Sequence, residues 1–126
     1  MSSKTKQIVG WVLAGLIGAL FLFSAYGKLT SGEEGAKMAA TMGLDAASLK
    51  MLGIIELMAA ALFVYPRTGI LGTLLLAAYM GGAIATHLEH GMSIVAPCVI
   101  QAVIWAVAVF RFPELRSRII DRKSVV

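Results

Sequence analysis

A chain of 126 residues predicts a single domain, and 59% hydrophobic and 14% charged residues with a mean hydropathy of +0.84 indicate an integral membrane protein. Soluble domains have about 45–50% apolar and about 25% charged residues, and a small soluble domain has too much surface to bury so many apolar side chains. The net charge of +4 does not indicate nucleic acid binding, because seven of the 11 basic residues lie in the terminal tails, where they suit a membrane surface. The lone cysteine, Cys98, excludes an internal disulfide and a four-cysteine metal or iron–sulfur site.

Four long apolar runs, each with at most one full charge, predict four transmembrane helices. Lipid offers the backbone no hydrogen bonds, so a spanning segment must be helical, and about 20 residues cross a hydrocarbon core of about 30 Å. The predicted fold is an all-α, four-helix membrane bundle that occupies residues 1–126, in a multi-pass protein expected in a bacterial inner membrane. The predicted spans are residues 7–26, 49–65, 69–88 and 93–112.

The segments outside the spans carry most of the charge and predict the topology. Residues 33–42 (EEGAKMAATM), in the loop between the first two spans, predict a short helix along the outer membrane interface, and residues 113–126 predict a basic helix on the inner membrane surface. An even number of spans places both termini and the second loop on one side, with eight basic residues against three on the other. Since the basic side faces the cytoplasm, both termini are predicted to be cytoplasmic.

Polar side chains inside or at the ends of the spans are the candidate functional residues, because charged groups in lipid are costly. Glu56 lies about two turns inside the second span, and such a carboxylate must be neutral, paired or in contact with a wet cavity. Lys28 ends the first span and His87 ends the third, so all three fall in the outer part of the predicted bilayer. Tyr26 and Gln101 add polar groups at a similar level. Together these five side chains predict a ligand-binding or proton-linked site between the helices.

The same residues also permit purely structural roles. Lys28 can extend its amine to the interface, His87 can be a hydrogen-bonded end residue, and Glu56 can form a structural ion pair with Lys28. His87 and His90 have no third ligand in the sequence pattern, so no metal site is predicted. Small residues at every fourth position of the first and third spans favour tight packing inside one bundle, with a homo-oligomer as the alternative.

Several short motifs occur in order along the spans: Ser24-Ala25-Tyr26-Gly27-Lys28-Leu29, Gly53-Ile54-Ile55-Glu56, Ala85-Thr86-His87-Leu88, and Pro97 followed eight residues later by Trp105. In their order and spacing they resemble the DoxX-like family of small four-helix membrane proteins, over nearly the whole chain. The resemblance implies a four-helix bundle. The founding members of that family are implicated as membrane subunits of thiosulfate:quinone oxidoreductases, and its eukaryotic relatives act in receptor assembly.

We therefore expect a redox-accessory protein that holds a quinone or another amphipathic lipid between its helices. Lys28 or His87 would donate a hydrogen bond to the ligand, and Glu56 or His87 would exchange protons. No intrinsic cofactor is predicted, so electrons would come from a partner redox subunit, and the chain is not expected to be a catalyst on its own. A small proton-coupled transporter and a non-catalytic membrane assembly protein are the alternatives.

The shared site makes a geometric prediction. Glu56 and His87 should line one cavity, within reach of a hydrogen bond or a single bridging water, and the amine of Lys28 should lie at the cavity rim.

Overall fold

The computed structural model of the protein describes residues 2–121, which form helices and no strands. A 3₁₀ turn at Pro66–Thr68 precedes the fourth helix, and a π-helical turn at Ser117–Asp121 follows the last. The helices are α1 (Ser3–Thr30), α2 (Gly32–Ala40), α3 (Ala46–Val64), α4 (Gly69–Glu89), α5 (Val95–Arg111) and α6 (Pro113–Arg116).

Three helical segments are long and apolar enough to cross a membrane: α1, α3, and α4 with the turn before it. The fourth, α5, has 17 residues, a length of about 25 Å at about 1.5 Å per residue. It is followed by a bend of 108° into Pro113–Ile120. The predicted all-α membrane fold is confirmed, with three spans, or four when α5 and the segment beyond the bend count as one.

The helices extend beyond the apolar runs where capping side chains are available. The backbone N–H of Thr5 donates to the Ser2 hydroxyl at 3.1 Å, which starts α1 four residues before the predicted span. The backbone N–H of Ser48 donates to the Asp45 carboxylate at 2.7 Å, which starts α3 three residues before its predicted span. Such caps satisfy N–H groups that have no partner inside the helix. The short helix predicted within 33–42 corresponds to α2.

The four long helices form a ring in which α1 packs on α3, α3 on α4, α4 on α5, and α5 on α1. Phe63, Leu76 and Ile104 are fully buried at its centre. A Cβ at Gly72 would collide with the backbone of Phe63, so α3 and α4 approach as closely as backbones can. A packed apolar core thus fills the half of the bundle nearer the termini, which we call the termini end. The opposite end, where α1 and α4 finish and α2 lies, we call the α2 end.

At the termini end, Arg111 ties α5 to α3. Its guanidinium donates to the carbonyl oxygens of Phe63 at 2.8 Å and Val64 at 3.0 Å. The same group lies over the rings of Phe63 and Phe112, at 5.2 and 4.8 Å from their centroids. A helix leaves its last carbonyl groups without partners, so Arg111 satisfies two of these groups on α3 from a neighbouring helix.

The surface segment predicted at 113–126 begins with α6, directly after the bend. Proline is tolerated in the first turn of a helix, where its missing N–H costs nothing, and Pro113 takes this position. Ile119 and Ile120 are exposed in the turn that follows. Residues 122–126 of the predicted segment lie outside the described residues.

Candidate functional site

A cavity of about 940 Å³ lies at the α2 end, among the helices of the ring and α2. Polar side chains from four helices line it: Ser24 and Lys28 from α1, Glu34 from α2, Glu56 from α3, and Tyr79, Thr86 and His87 from α4, with Ser31 between α1 and α2. Most of the remaining lining is apolar. It includes Phe21, Met38, Leu49, Leu52, Pro97 and Ile100.

Glu56 is the buried polar centre of this cavity, with 2% of its surface exposed. Its carboxylate accepts hydrogen bonds from the Lys28 amine at 3.3 and 3.4 Å and from the Ser24 hydroxyl at 3.1 Å. The Lys28 amine also donates to the Ser24 hydroxyl at 2.6 Å. The three side chains therefore form a closed triangle in which a buried carboxylate has both charge compensation and hydrogen bonds, as burial of a charge requires.

Two local features of the sequence bring these three side chains together. Ser24 and Lys28 are four residues apart, so they lie on the same face of α1, one turn apart. Gly53 lies one turn before Glu56 on α3, and a Cβ there would lie 3.2 Å from the Cβ of Lys28 and 3.3 Å from the carbonyl oxygen of Ala25. The missing side chain lets α1 and α3 approach closely enough for Glu56 to reach both α1 groups.

Tyr79 extends the site onto α4, and the sequence analysis missed it. The Lys28 amine lies 5.9 Å from the centroid of its ring, and its hydroxyl interacts electrostatically with the Glu56 carboxylate. Phe21 holds the ring edge-to-face at a centroid distance of 6.5 Å. The available signal was its spacing, because Tyr79 lies two turns before His87 and therefore on the same face of α4.

His87 lines the same cavity as Glu56 and Lys28, which is the first part of the geometric prediction. The predicted direct hydrogen bond to Glu56 is absent from the contacts of the described residues, and Nδ1 of His87 lies 2.6 Å from the carbonyl oxygen of Ala83 instead. That contact requires a proton on Nδ1, so the neutral ring carries its lone pair on Nε2. His87 lies about 12 Å farther along α4 than Tyr79, and Tyr79 is the α4 residue beside the carboxylate. The imidazole thus forms a second polar position in the cavity.

The family model described as the DoxX-like family matches residues 12–110, from the early turns of α1 to the penultimate residue of α5. The chain belongs to the DoxX-like family. The matched range contains the whole Ser24–Lys28–Glu56 triangle together with Tyr79 and His87, and it confirms the resemblance drawn from the motifs. No curated protein and no solved structure matches the chain.

Two of the predicted site residues of this DoxX-like protein lie away from the cavity. Tyr26 is 66% exposed on the outer surface of the bundle, because residues two apart on a helix, such as Tyr26 and Lys28, do not share a face. Gln101 points between α5 and α4, where its side-chain N–H donates to the carbonyl oxygen of Ala77 at 3.0 Å. Its Oε1 is buried without a hydrogen-bond partner among the described residues. Gln101 therefore links two helices.

The α2 helix of the DoxX-like protein borders the cavity and packs on the bundle through small residues. Gly35 and Ala39 are its buried residues, one turn apart. Glu34 and Met38 contribute to the cavity lining from the same helix. Among the residues that the structure describes, there is no group of three or more His, Cys, Asp or Glu side chains that could hold a metal ion.

Chemically, the cavity combines an apolar body with two separate polar positions. At one, the Lys28 amine can donate a hydrogen bond while Glu56 and Ser24 hold it in place. At the other, Nε2 of His87 can accept or exchange a proton. The lining between them suits an elongated, mainly apolar molecule with a polar head.

Proposed function

We propose that this DoxX-like protein binds a quinone or a similar amphipathic lipid in the cavity at its α2 end and acts as an accessory subunit of a membrane redox enzyme. The observation that carries this proposal is the buried Glu56 carboxylate, paired with Lys28, on the wall of an apolar cavity of about 940 Å³. Small-molecule sites have volumes of about 300–1,000 Å³ and combine an apolar lining with a few fixed polar groups.

The polar groups fit a quinone head. The Lys28 side chain is 24% exposed while Glu56 is 2% exposed, so the amine is accessible from the cavity and can donate to a ligand carbonyl while the carboxylate stays buried behind it. Nε2 of His87 can exchange protons with a second polar group of the ligand or with water. A bound quinone would supply two-electron chemistry coupled to protons. The electrons would come from a partner subunit.

The shape of the bundle favours binding over transport. A transporter must open its site to both sides of the membrane, whereas Phe63, Leu76 and Ile104 are fully buried between this cavity and the termini end. A non-catalytic assembly role would need only the structural Lys28–Glu56 pair. That role would not require an apolar cavity that is also lined by the polar side chains of Tyr79 and His87, on two different turns of α4.

We propose an inner-membrane protein of a bacterium with both termini in the cytoplasm. The distribution of basic residues, eight on the side of the termini and three on the side of α2, supports the orientation. In this orientation the cavity lies toward the outer leaflet, where a ligand can reach it from the lipid.

The test is direct identification of the ligand. The full chain is purified in a mild detergent, and the bound lipids are extracted and quantified by mass spectrometry, alongside Glu56→Gln and a control, Glu89→Gln. Glu89 is an exposed carboxylate at the same end of the bundle that does not line the cavity. We expect quinone to be enriched with the unaltered protein and the control, and lost from Glu56→Gln.

Two further variants separate binding from folding. His87→Gln alters the cavity without touching the ion pair, and His90→Gln alters an exposed histidine that does not line it. We expect His87→Gln to lower quinone retention with an unchanged unfolding midpoint, and His90→Gln to leave retention unchanged. Equal lipid content in all four variants and the unaltered protein would contradict the proposed function and favour the assembly role.

A further inference from the structure

Contacts at the α2 end join the helices on two sides of the cavity. Between α1 and α3, a Cβ at Gly53 would lie 3.2 Å from the Cβ of Lys28 and 3.3 Å from the carbonyl oxygen of Ala25, so these two helices touch. Between α4 and α5, the side-chain N–H of Gln101 donates to the carbonyl oxygen of Ala77 at 3.0 Å. The two remaining sides of the ring, α3–α4 and α5–α1, lie opposite each other.

Exposed residues in the cavity wall show where the cavity opens, because such a residue borders the cavity and the outside at once. On α2 these residues are Glu34 and Met38. On the long helices all of them are apolar: Leu20 and Gly27 of α1, Ile55 of α3, Ala78 and Gly82 of α4, and Ala96 of α5. Since α1, α3 and α4 are long and apolar enough to cross a membrane, openings between the long helices face lipid.

Three of these exposed residues border an opening between α3 and α4. Ile55 is two residues after Gly53, which touches α1, so Ile55 lies on the flank of α3 away from α1. Gly82 is five residues after Ala77, which accepts the hydrogen bond from α5, so it projects about 140° away from that residue around α4. Ala78 is one turn before Gly82 on the same face. We call the opening bordered by Ile55, Ala78 and Gly82 the α3–α4 gap.

The other three border an opening on the opposite side, between α5 and α1. Gly27 is two residues after Ala25, which faces α3, so Gly27 lies on the flank of α1 away from α3. Leu20 is two turns before Gly27 on the same face. Ala96 is five residues before Gln101 and projects about 140° away from it around α5, on the side away from α4. We call the opening bordered by Leu20, Gly27 and Ala96 the α5–α1 gap.

A glycine in each gap leaves space beside the backbone. A Cβ at Gly27 or at Gly82 would meet no neighbouring atom within 4 Å among the described residues. Both gaps also lie at the level of the buried ion pair, because Gly27 adjoins Lys28 and Ile55 adjoins Glu56 in the sequence. A ligand head at the Lys28 amine would therefore lie next to both gaps, and an attached chain could continue through either of them into lipid.

We propose that the cavity is a lateral passage, open to lipid through both gaps, and that its ligand is a long-chain membrane lipid whose chain leaves through either gap while its head lies at Lys28. This proposal rests on the ligand-binding function proposed above, and it adds that the ligand has a long apolar tail. The gap residues offer such a tail apolar contacts, which supply binding energy in proportion to the buried area. A water-soluble ligand would instead enter past α2, where Glu34 is exposed.

The experiment titrates the full chain, in a mild detergent, with a ubiquinone that has a tail of two isoprene units and with the same headgroup without a tail, and counts bound quinone by native mass spectrometry. The test variant, Gly27→Leu/Gly82→Leu, fills both gaps, and the two single variants fill one gap each. The control is Gly15→Leu/Gly81→Leu. These two glycines are exposed on the same helices, have the same open space around an added Cβ, and do not line the cavity. All four changes raise helix propensity.

We expect the test variant to bind the tailed quinone about tenfold more weakly or worse, because the two leucines occupy the space of its chain and overpacking is costly. Each single variant should stay within about twofold of the unaltered protein, since the chain can use the other gap. The headgroup without a tail should bind the test variant and the unaltered protein equally. The control should match the unaltered protein with both quinones.

Three results would overturn the proposal. Equal weakening of the two quinones in the test variant would show that the leucines disturb the head position and not the chain. A single variant as weak as the double variant would show that the chain uses one gap only. Unchanged affinity of the test variant would show that the chain leaves past α2. If the unaltered protein binds neither quinone, the proposed function itself is wrong.

Discussion

The Lys28–Glu56 pair makes an asymmetric prediction about stability. Lys28→Met would leave the Glu56 carboxylate, which is 2% exposed, with the Ser24 hydroxyl and no charged partner. Glu56→Met would leave the Lys28 amine, whose side chain is 24% exposed and can turn toward the cavity. The loss of the lysine should therefore destabilise the protein more than the loss of the glutamate, although both variants break the same ion pair.

The magnitudes follow from the burial of each partner. Removing one member of a buried pair costs about 3–5 kcal/mol, and replacing both members by apolar groups is often neutral. We expect about 3 kcal/mol for Lys28→Met, at the lower end because water can reach the cavity side of the pair, and about half of that for Glu56→Met. The double variant should lie within about 1 kcal/mol of the unaltered protein, so the two changes should be coupled by about 3.5 kcal/mol or more.

Reversible unfolding by SDS in mixed micelles at pH 7, followed by circular dichroism, measures these free energies. Lys50→Met, at an exposed lysine at the start of α3, is the matched control and should have almost no effect. If the costs of the two single changes simply add in the double variant, Lys28 and Glu56 do not stabilise each other, and the argument from the ion pair is wrong. If Glu56→Met costs more than Lys28→Met, the argument from burial is wrong.

Four further predictions concern other parts of the molecule. Gly72→Ala should lower the free energy of unfolding by about 2 kcal/mol in the same assay, because its Cβ collides with the backbone of α3. Gly81→Ala, with open space around it, should be neutral or stabilising. Equal effects of the two changes would refute the close approach of α3 and α4. Arg111→Gln should cost about 2 kcal/mol through its lost hydrogen bonds to the end of α3, and an effect no larger than that of Arg118→Gln would contradict this role. The hydrogen bond from the backbone N–H of residue 48 lowers the pKa of Asp45 from its usual 3.8. The cap should therefore stabilise the protein above about pH 4, and this stabilisation should be lost as the pH falls through the lowered pKa. If the unfolding midpoint of Asp45→Ala falls as steeply below about pH 4 as that of the unaltered protein, this prediction is wrong. A reporter that is active only in the cytoplasm should be active when fused after the last residue, and an inactive reporter on full-length protein would reverse the topology.

Hydropathy alone was enough to predict the helical fold. In lipid the backbone has no alternative to internal hydrogen bonds, so a long apolar run fixes both the type and the approximate place of a helix. The ends were less accurate, because the starts of α1 and α3 depend on the caps at Ser2 and Asp45 and lie outside the apolar runs. The contact of Lys28 with Glu56 followed from antiparallel helices, since the end of α1 meets the beginning of α3.

The rest of the site depends on rotation about the helix axis, which depth in the membrane does not reveal. Tyr26 lies at the level of Lys28 but faces outward, and the spacing of two residues already indicated this. Gln101 required a different kind of information, because its partner is a backbone carbonyl of α4 and any residue could supply that group. Tyr79 was overlooked because a tyrosine in an apolar run is usually a packing residue. Its proximity to the carboxylate depends on how α4 packs against α3.

The short length of α5 has a consequence for the bilayer as well as for the fold. The 17 residues of α5 are about 5 Å shorter than the hydrocarbon thickness of about 30 Å. The neighbouring α1 has 28 residues and can span the full thickness. If α5 crosses the bilayer as the fourth span, the lipid beside it would thin to match it, at a cost of a fraction of a kcal/mol per Å. One side of this small protein would then impose a local depression on the membrane. A thin bilayer would accommodate that depression at lower cost than a thick one. A second protein with a similarly short transmembrane helix would reduce the cost further by sharing the same thinned region of lipid.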